Sequence, residues 1–131
     1  MTDHGSDGRR KVLLVDDSAL VLRIASAYLS ESYDVVTSSS GEEALDKALA
    51  ERPDLILMDQ HMNGQSGVEA ADSLLHDQRT QHIPVVIMTT ASDVALLPAH
   101  LERLTKPFDK RAVLAKIQTC LGKPLTRPVS E

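Results

Sequence analysis

Aromatic residues, cysteine and long apolar runs are all scarce in this sequence. Tryptophan is absent and aromatic residues make up only 2% of the 131 residues, so aliphatic side chains must fill any core. The single cysteine, Cys120, cannot form an intramolecular disulfide and is expected to be a packing residue. No apolar run approaches the roughly 18 residues that a membrane-spanning helix needs, and no signal peptide opens the chain. We therefore expect a soluble, cytoplasmic protein with no membrane partner.

Basic residues are also fewer than acidic ones. Lysine and arginine together number 14, against 19 aspartate and glutamate residues, which gives a formal net charge of −5 at pH 7. Proteins that hold nucleic acid present a basic face to its phosphates. We therefore expect no direct nucleic-acid binding by this domain.

The length and composition fit one domain with short unstructured ends. Of the 131 residues, 42% are apolar and 25% are charged, which is enough apolar material for the core of one domain. Residues 1–10 are rich in glycine, serine and charge and are assigned to a flexible leader. Residues 11–122 are assigned to the domain, and residues 123–131 to a tail or the start of a linker.

Short apolar runs alternate with segments of helical periodicity along the predicted domain. The predicted strands lie at residues 11–15, 34–37, 55–58, 84–88 and 102–105. Capping-box patterns at Ser40 with Glu43 and at Ser66 with Glu69 indicate two helix starts, and Asp109 indicates a third. Strands that alternate with helices form a parallel sheet covered on both faces. The pattern predicts an α/β fold with a doubly wound, five-stranded parallel sheet.

Residues capable of chemistry stand at the carboxyl ends of four predicted strands. They are Asp16, Asp17, Asp59, Thr89 or Thr90, and Lys106. In an open parallel sheet, ligands bind at the carboxyl ends of the strands, so these side chains should converge on one edge. Taken singly, each is more simply a turn residue, a strand residue or a solvated lysine. Their coincidence at separate strand ends favours a functional site.

Three carboxylates at one edge predict a bound cation. At about 5 Å and an effective dielectric near 20, each pair of carboxylates repels by roughly 3 kcal/mol. Oxygen-only ligands suit Mg²⁺, which commonly combines one or two carboxylates with phosphate oxygens. An ionised carboxylate can itself attack a phosphoryl group and form an aspartyl phosphate. A metal, a lysine and a hydroxyl around the phosphoryl oxygens would stabilise their negative charge.

Four segments together carry a resemblance to a known family. They read Val-Asp-Asp at 15–17, Asp-Leu-Ile-Leu-Met-Asp at 54–59 followed by Met62 and Gly67, Pro-Val-Val-Ile-Met-Thr at 84–89, and Lys-Pro-Phe at 106–108. In this combination the chain resembles a response-regulator receiver domain over about residues 11–122. The resemblance implies a flavodoxin-like fold, use of Mg²⁺, and phosphate taken from a sensor histidine kinase or phosphotransfer protein. It also implies a cis Lys106–Pro107 peptide bond.

The matching motifs imply a role for each site residue. Asp59 would accept the phosphate, and Thr89 and Lys106 would contact the phosphoryl oxygens. The implied metal ligands are Asp16 (largely through water), Asp17, Asp59 and the backbone carbonyl of His61. The domain would catalyse only its own phosphorylation and dephosphorylation. It would signal through a conformational change to an output partner that the motifs do not specify.

Several positions depart from the family pattern. Asn63 stands where the family often has proline, and Arg103 stands where it often has an aromatic switch residue. Thr89 has the expected spacing from Asp59, but the adjacent Thr90 leaves the choice of hydroxyl open. Without the aromatic residue, output would depend on the mobility of residues 91–101 or on another face, such as the first helix.

The segment between the fourth and fifth strands is unusually short. Only residues 91–105 separate Thr90 from Lys106, and Pro98 cannot lie inside a helix beyond its first turn. We therefore predict a shortened fourth helix of at most about two turns. It would run from Ser92 or Asp93 to Leu97 and bury Val94 and one of Leu96 or Leu97. Such a short element should be the least protected in hydrogen exchange.

Two other functions would use similar residues. A Mg²⁺-dependent phosphohydrolase of the haloacid-dehalogenase type also has an aspartate nucleophile. However, that family requires Asp-x-Asp, and His61 stands two residues beyond Asp59. A pseudo-receiver would bind partners without carrying phosphate, but every site residue of the receiver family is present. The His61 ring could indicate a transition-metal site, although a solvent-facing loop histidine is the simpler interpretation. A phosphoacceptor receiver is the favoured hypothesis.

Overall fold

Strands and helices alternate along the chain, as the sequence pattern predicts. The computed structural model describes residues 8–122. The strands are β1 (Lys11–Val15), β2 (Asp34–Ser38), β3 (Leu55–Asp59), β4 (Val85–Thr90) and β5 (Glu102–Lys106). The helices are α1 (Ala19–Leu29), α2 (Ala44–Glu51), α3 (Gly67–Leu75) and α4 (Lys110–Leu121), with a 3-10 turn at Val94–Leu96. None of the helices in residues 8–122 combines the length and apolar character needed to span a membrane.

The predicted leader and tail lie mostly outside the described residues. Of the leader, only residues 8–10 are described, and none of the tail at 123–131 is. Arg9 donates to the carbonyl of Ser30 at 2.6 Å and to Asp34 Oδ1 at 3.2 Å. The Asp34 N–H donates to the carbonyl of Arg10 at 2.9 Å. These contacts join residues 9 and 10 to the start of β2, and a domain boundary at residue 11 stays a prediction.

The strands form one parallel sheet in the order β2-β1-β3-β4-β5. The chain moves outward from β1 to β2, then returns past β1 to β3 and continues to β5. This reversal creates a topological switch point between the carboxyl ends of β1 and β3, where ligands bind in sheets of this type. The predicted flavodoxin-like, doubly wound α/β fold is confirmed.

The central strand β3 is buried on both faces. Leu55 and Leu57 pack with residues of α1 and α4, whereas Ile56 and Met58 pack with residues of α2 and α3. All four are 0% exposed. Because alternate residues of a strand point to opposite faces, a strand covered on both sides needs such an unbroken apolar run. Asp59 is therefore the first position at which β3 reaches the polar edge of the sheet.

Capping residues fix the starts of α3 and α4 as predicted. The Ser66 hydroxyl accepts from the Glu69 N–H at 3.2 Å, and Glu69 Oε1 accepts from the Ser66 N–H at 2.9 Å. This reciprocal pair is a complete capping box. The Asp109 carboxylate accepts from the Ala112 N–H at 2.8 Å at the start of α4. Local sequence thus determines where each of these helices begins.

The capping box predicted at Ser40 and Glu43 is only half formed, and in this respect the prediction is wrong. The Ser40 hydroxyl accepts from the Glu43 N–H at 3.2 Å. However, Glu43 Oε1 accepts from the Ser38 hydroxyl at 3.3 Å instead of from the Ser40 N–H. Consequently α2 begins only at Ala44, without a side-chain cap at Glu43.

The segment from 91 to 101, here called the β4–β5 connection, contains one 3-10 turn and no α-helix. The predicted limit of two helical turns is confirmed, and the element is even shorter than the predicted helix that ends at Leu97. Leu97 is buried at 7% exposure, as predicted, and Leu96 is 79% exposed, but Val94, which was also predicted to be buried, is only half-buried. The connection therefore contributes Leu97 and, at its end, Leu101 to the core.

The Arg103 guanidinium holds the β4–β5 connection against β5. Its Nη1 donates to the carbonyl of Val94 at 2.9 Å. Its Nη2 donates to the carbonyls of Pro98 at 2.7 Å and Leu101 at 2.8 Å. A guanidinium presents several donors in a fixed, planar arrangement, so a single arginine can bind three carbonyls of one loop. These contacts replace the backbone hydrogen bonds that a helix would have supplied.

Candidate functional site

Three aspartates meet at the switch point of the sheet. Asp59 is the last residue of β3, and Asp16 and Asp17 directly follow β1, which pairs with β3. One carboxylate oxygen from each residue lies within 4.8 Å of the others. Asp16 and Asp59 are buried, at 1% and 4% exposure, while Asp17 is exposed. The carboxylates thus line a cleft whose base is buried and whose rim is open to solvent.

Lys106 reaches the same cleft from the far edge of the sheet. Its Nζ donates to Asp59 Oδ1 at 2.9 Å and lies 3.4 Å from Asp16 Oδ2. Because β4 lies between β3 and β5, the long lysine side chain must pass the end of β4 to make these contacts. The Lys106–Pro107 bond is cis, as predicted. Lys106 is therefore the counter-ion of the two buried carboxylates.

The pKa of Asp16 is raised and that of Lys106 is also raised, for different reasons. Burial is the main cause for Asp16, and the nearby Asp59 carboxylate adds to it. The Ser18 N–H, which donates to Asp16 Oδ1 at 2.9 Å, opposes this increase in pKa. For Lys106, burial alone would lower the pKa, but the hydrogen bonds and charges of Asp59 and Asp16 together outweigh it. The half-buried ammonium is thus firmly charged.

The formal charge of the cleft favours a divalent cation. Three carboxylates at −1 each and one ammonium at +1 leave a formal charge of −2. The donor atoms in the cluster are all oxygens at the end of a sheet, which are the ligands that Mg²⁺ prefers. The donor set therefore fits Mg²⁺ by both charge and chemistry.

The two candidate threonines have different environments. Thr89 is 0% exposed, and its hydroxyl has no hydrogen-bond partner among the described residues. Buried hydroxyls without a partner are uncommon. Thr90 is exposed, and its hydroxyl bonds with that of Ser92 at 3.1 Å. Thr89 therefore has hydrogen-bonding capacity to spare, whereas the Thr90 hydroxyl is already engaged.

His61 points its ring away from the carboxylate cluster. The side chain is 54% exposed, and Nε2 lies 3.0 Å from Oδ2 of Asp93 in the β4–β5 connection. The described residues that could hold a metal are the three aspartates, without this ring. The solvent-facing interpretation of the His61 side chain thus agrees with the structure. A metal-binding role for its backbone carbonyl stays a prediction.

Two contacts in the β3–α3 loop (residues 60–66) were missed by sequence reasoning. The Asn63 N–H donates to Asp17 Oδ2 at 3.0 Å, and the Gln65 N–H donates to Glu42 Oε2 at 2.8 Å. No motif signals the Glu42 contact, since it joins the start of α2 to a distant loop. The Asn63 contact did leave a signal in the sequence. Asparagine stands where the family often has proline, and proline has no N–H to donate.

Comparison with known proteins identifies the family. The family model described as "Response regulator receiver domain" matches residues 12–118. The alkaline phosphatase synthesis transcriptional regulatory protein PhoP of Bacillus subtilis is 33% identical over 129 residues, which cover 93% of this chain and 53% of that protein. This chain thus spans about half the length of that relative.

Solved structures agree with the sequence comparison. The chemotaxis response regulator CheY4 of Vibrio cholerae has a TM-score of 0.73 and 30% identity, covering 84% of this chain and 97% of that chain. The receiver domain of the sensor histidine kinase PA1611 from Pseudomonas aeruginosa, solved with a magnesium ion in its active site cleft, has a TM-score of 0.79 and 25% identity. That match covers 87% of this chain and 98% of the other. The sequence motifs, the fold and these matches agree, and the chain belongs to the response regulator receiver domain family of two-component signalling.

Proposed function

We propose that this domain is a phosphoacceptor in a two-component phosphorelay, phosphorylated on Asp59 in a Mg²⁺-dependent reaction. The phosphoryl donor would be a phosphohistidine on a sensor histidine kinase or a phosphotransfer protein in the cytoplasm. The observation that carries the proposal is the environment of Asp59. This buried carboxylate lies in one cleft with Asp16 and Asp17 and accepts a hydrogen bond from Lys106 at 2.9 Å. The cleft thus joins a nucleophile to groups that stabilise phosphoryl charge.

Asp59 is suited to attack a phosphoryl group. A carboxylate can act as the nucleophile in phosphoryl transfer, and the hydrogen bond from Lys106 to Oδ1 orients this one. The other oxygen, Oδ2, would attack phosphorus, while the phosphorus–nitrogen bond of the donor breaks and its electron pair returns to the imidazole. The phosphoryl oxygens would then lie near the Lys106 ammonium. In this position the lysine stabilises the charge that is spread over those oxygens.

Asp16, Asp17, Asp59 and the backbone carbonyl of His61 would hold the Mg²⁺ ion. When bound, the ion neutralises negative charge on the phosphoryl oxygens. The raised pKa of Asp16 fits a residue that acts within this charged group, since it experiences both burial and the repulsion of Asp59. Mutual repulsion of the carboxylates would be relieved by the ion, so Mg²⁺ would also stabilise the fold.

Thr89 would bind a phosphoryl oxygen and couple phosphorylation to a change in surface. Its hydroxyl is buried and has no partner among the described residues, so a newly attached phosphate would supply the missing acceptor. Thr90 is the second candidate, but its hydroxyl is engaged by Ser92. The domain would turn over no external substrate and would catalyse only its own phosphorylation and dephosphorylation.

Chemical phosphorylation tests the assignment of Asp59. A small phosphodonor with Mg²⁺ should add one phosphate that is labile to acid and sensitive to hydroxylamine, as expected for an acyl phosphate. The D59N variant should take up none, because an amide is a poor nucleophile. The T90A variant serves as a matched control and should be labelled like the wild type. Labelling retained in D59N, measured by intact-protein mass spectrometry, would show that another residue accepts the phosphate.

A further inference from the structure

We propose that the backbone N–H of Asn63 positions Asp17 as a metal ligand. The inference rests on the proposed function, since it concerns the Mg²⁺ site described above. The N–H donates to Asp17 Oδ2 at 3.0 Å and joins the loop after β1 to the β3–α3 loop. Within residues 8–122, this is the only hydrogen bond that the Asp17 side chain makes. Asn63 is thus a positioning residue that acts through its main chain.

Asp17 has more need of such a partner than the other two aspartates. Asp16 is buried and accepts hydrogen bonds from the Ser18 N–H and from Lys106. Asp59 is buried and accepts a hydrogen bond from Lys106. Asp17 is exposed, so without the Asn63 N–H its side chain would sample several rotamers. Metal binding would then have to order that carboxylate, which weakens affinity.

The conformation of the β3–α3 loop orients the Asn63 N–H toward Asp17. Gly64 adopts φ of +80°, a backbone conformation that side chains disfavour. A Cβ at this position would lie 2.5 Å from Glu42 Oε2, the same carboxylate oxygen that accepts the Gln65 N–H. Two carboxylates therefore hold the loop: Asp17 accepts from the N–H before Gly64, and Glu42 accepts from the N–H after it. This arrangement fixes the direction of the N–H between them.

The inference explains why asparagine in place of the family's frequent proline matters here. Proline has no N–H, so a chain with proline at position 63 could not make this bond to Asp17. Hydrogen bonds to a ligating group orient it, and their loss typically weakens metal affinity by about 10- to 100-fold. The asparagine side chain plays no part in the Asp17 contact, since the donor is a main-chain atom.

A pair of substitutions at position 63 separates the main-chain donor from the side chain. N63A keeps the N–H and should bind Mg²⁺ like the wild type, whereas N63P lacks it and should bind about 10-fold more weakly. Affinity is measured by isothermal titration with MgCl₂, which requires no phosphorylation. E42A loosens the same loop while leaving the Asn63 N–H in place, so it should weaken Mg²⁺ binding less than N63P does. If N63P does not fold, an ester bond that replaces the amide at residue 63 removes the N–H without adding a ring.

The outcomes distinguish this inference from the proposed function. Equal Mg²⁺ affinity in N63A and N63P, or an equal loss in E42A and N63P, would overturn the role of the N–H while leaving the metal site intact. Absence of Mg²⁺ binding by the wild type would overturn the metal site itself, and the role of Asn63 with it. Weakening confined to N63P, or to the ester, supports the inference.

Discussion

Replacing Arg103 by methionine tests whether one side chain holds the β4–β5 connection in place. Methionine keeps much of the apolar stem and removes the guanidinium that donates to the carbonyls of Val94, Pro98 and Leu101. The connection has no α-helix to stabilise it, and the core residues it contributes are Leu97 and Leu101. Loss of the guanidinium should therefore open this segment without unfolding the sheet.

The size of the effect follows from the hydrogen bonds lost. Each bond from a charged donor contributes about 1.5–3 kcal/mol. Two of the three carbonyls keep a second partner, because the Leu97 N–H donates to Val94 at 3.3 Å and the Leu101 N–H donates to Pro98 at 3.1 Å. The guanidinium is also only half-buried, so the three contributions do not add fully. We expect the opening free energy to fall by about 2 kcal/mol, which accelerates exchange by roughly 30-fold.

Amide hydrogen exchange measured by NMR provides the assay. The reporting amides are those that form the hydrogen bonds of the connection, namely Asp93, Leu96, Leu97 and Leu101. The amides of β3 should exchange as in the wild type, because that strand lies in the core. R103K, which keeps the charge but not the planar set of donors, should show an intermediate acceleration. Unchanged exchange in the connection, or an equal acceleration in β3, would refute the proposed role of Arg103.

The metal site, the two threonines and the start of α3 give three further tests. Millimolar Mg²⁺ should raise the melting temperature, because it binds the native state, and D17N should lose most of that gain; equal shifts in both proteins would remove Asp17 from the ligand set. T89A should still accept phosphate, which mass spectrometry quantifies, but should lose the accompanying changes in amide chemical shifts. If T90A loses those changes instead, the role belongs to Thr90. G67A should lower the free energy of unfolding in urea by about 1–3 kcal/mol. A Cβ on Gly67 would lie 2.5 Å from the backbone oxygen of Asp59, and an unchanged midpoint would show that the strand end yields easily.

The fold was predictable because each strand changes character abruptly at its carboxyl end. The apolar run at 55–58 ends at Asp59, and the run at 11–15 ends at Asp16, as the structure has them. Parallel pairing then brings these ends to one edge, so sequence order alone placed the carboxylates together. The short connection was predictable for a similar reason, since Pro98 and the chain length left no room for a longer helix.

Contacts between loops were not predictable from local sequence. The Asn63 N–H meets Asp17 across 46 positions of sequence, and the Gln65 N–H meets Glu42 across 23. Such bonds depend on the conformations of two loops at once, and no spacing rule encodes them. The failed capping box has the same origin, because the Glu43 carboxylate has an alternative partner in the Ser38 hydroxyl. A local pattern can predict which bonds are possible, but the tertiary fold selects among them.

The site is completed late in synthesis, because Lys106 follows all three aspartates in the sequence. β5 is an edge strand, paired with β4, and follows all three aspartates in the sequence. A chain released from the ribosome before β5 would carry Asp59 and Asp16 without the ammonium that faces them both. Since synthesis proceeds from the N-terminus, truncated or nascent chains would hold repelling carboxylates and no lysine to stabilise phosphoryl charge. Under the proposed function, an incomplete product would therefore lack one of the groups that stabilise the phosphoryl charge.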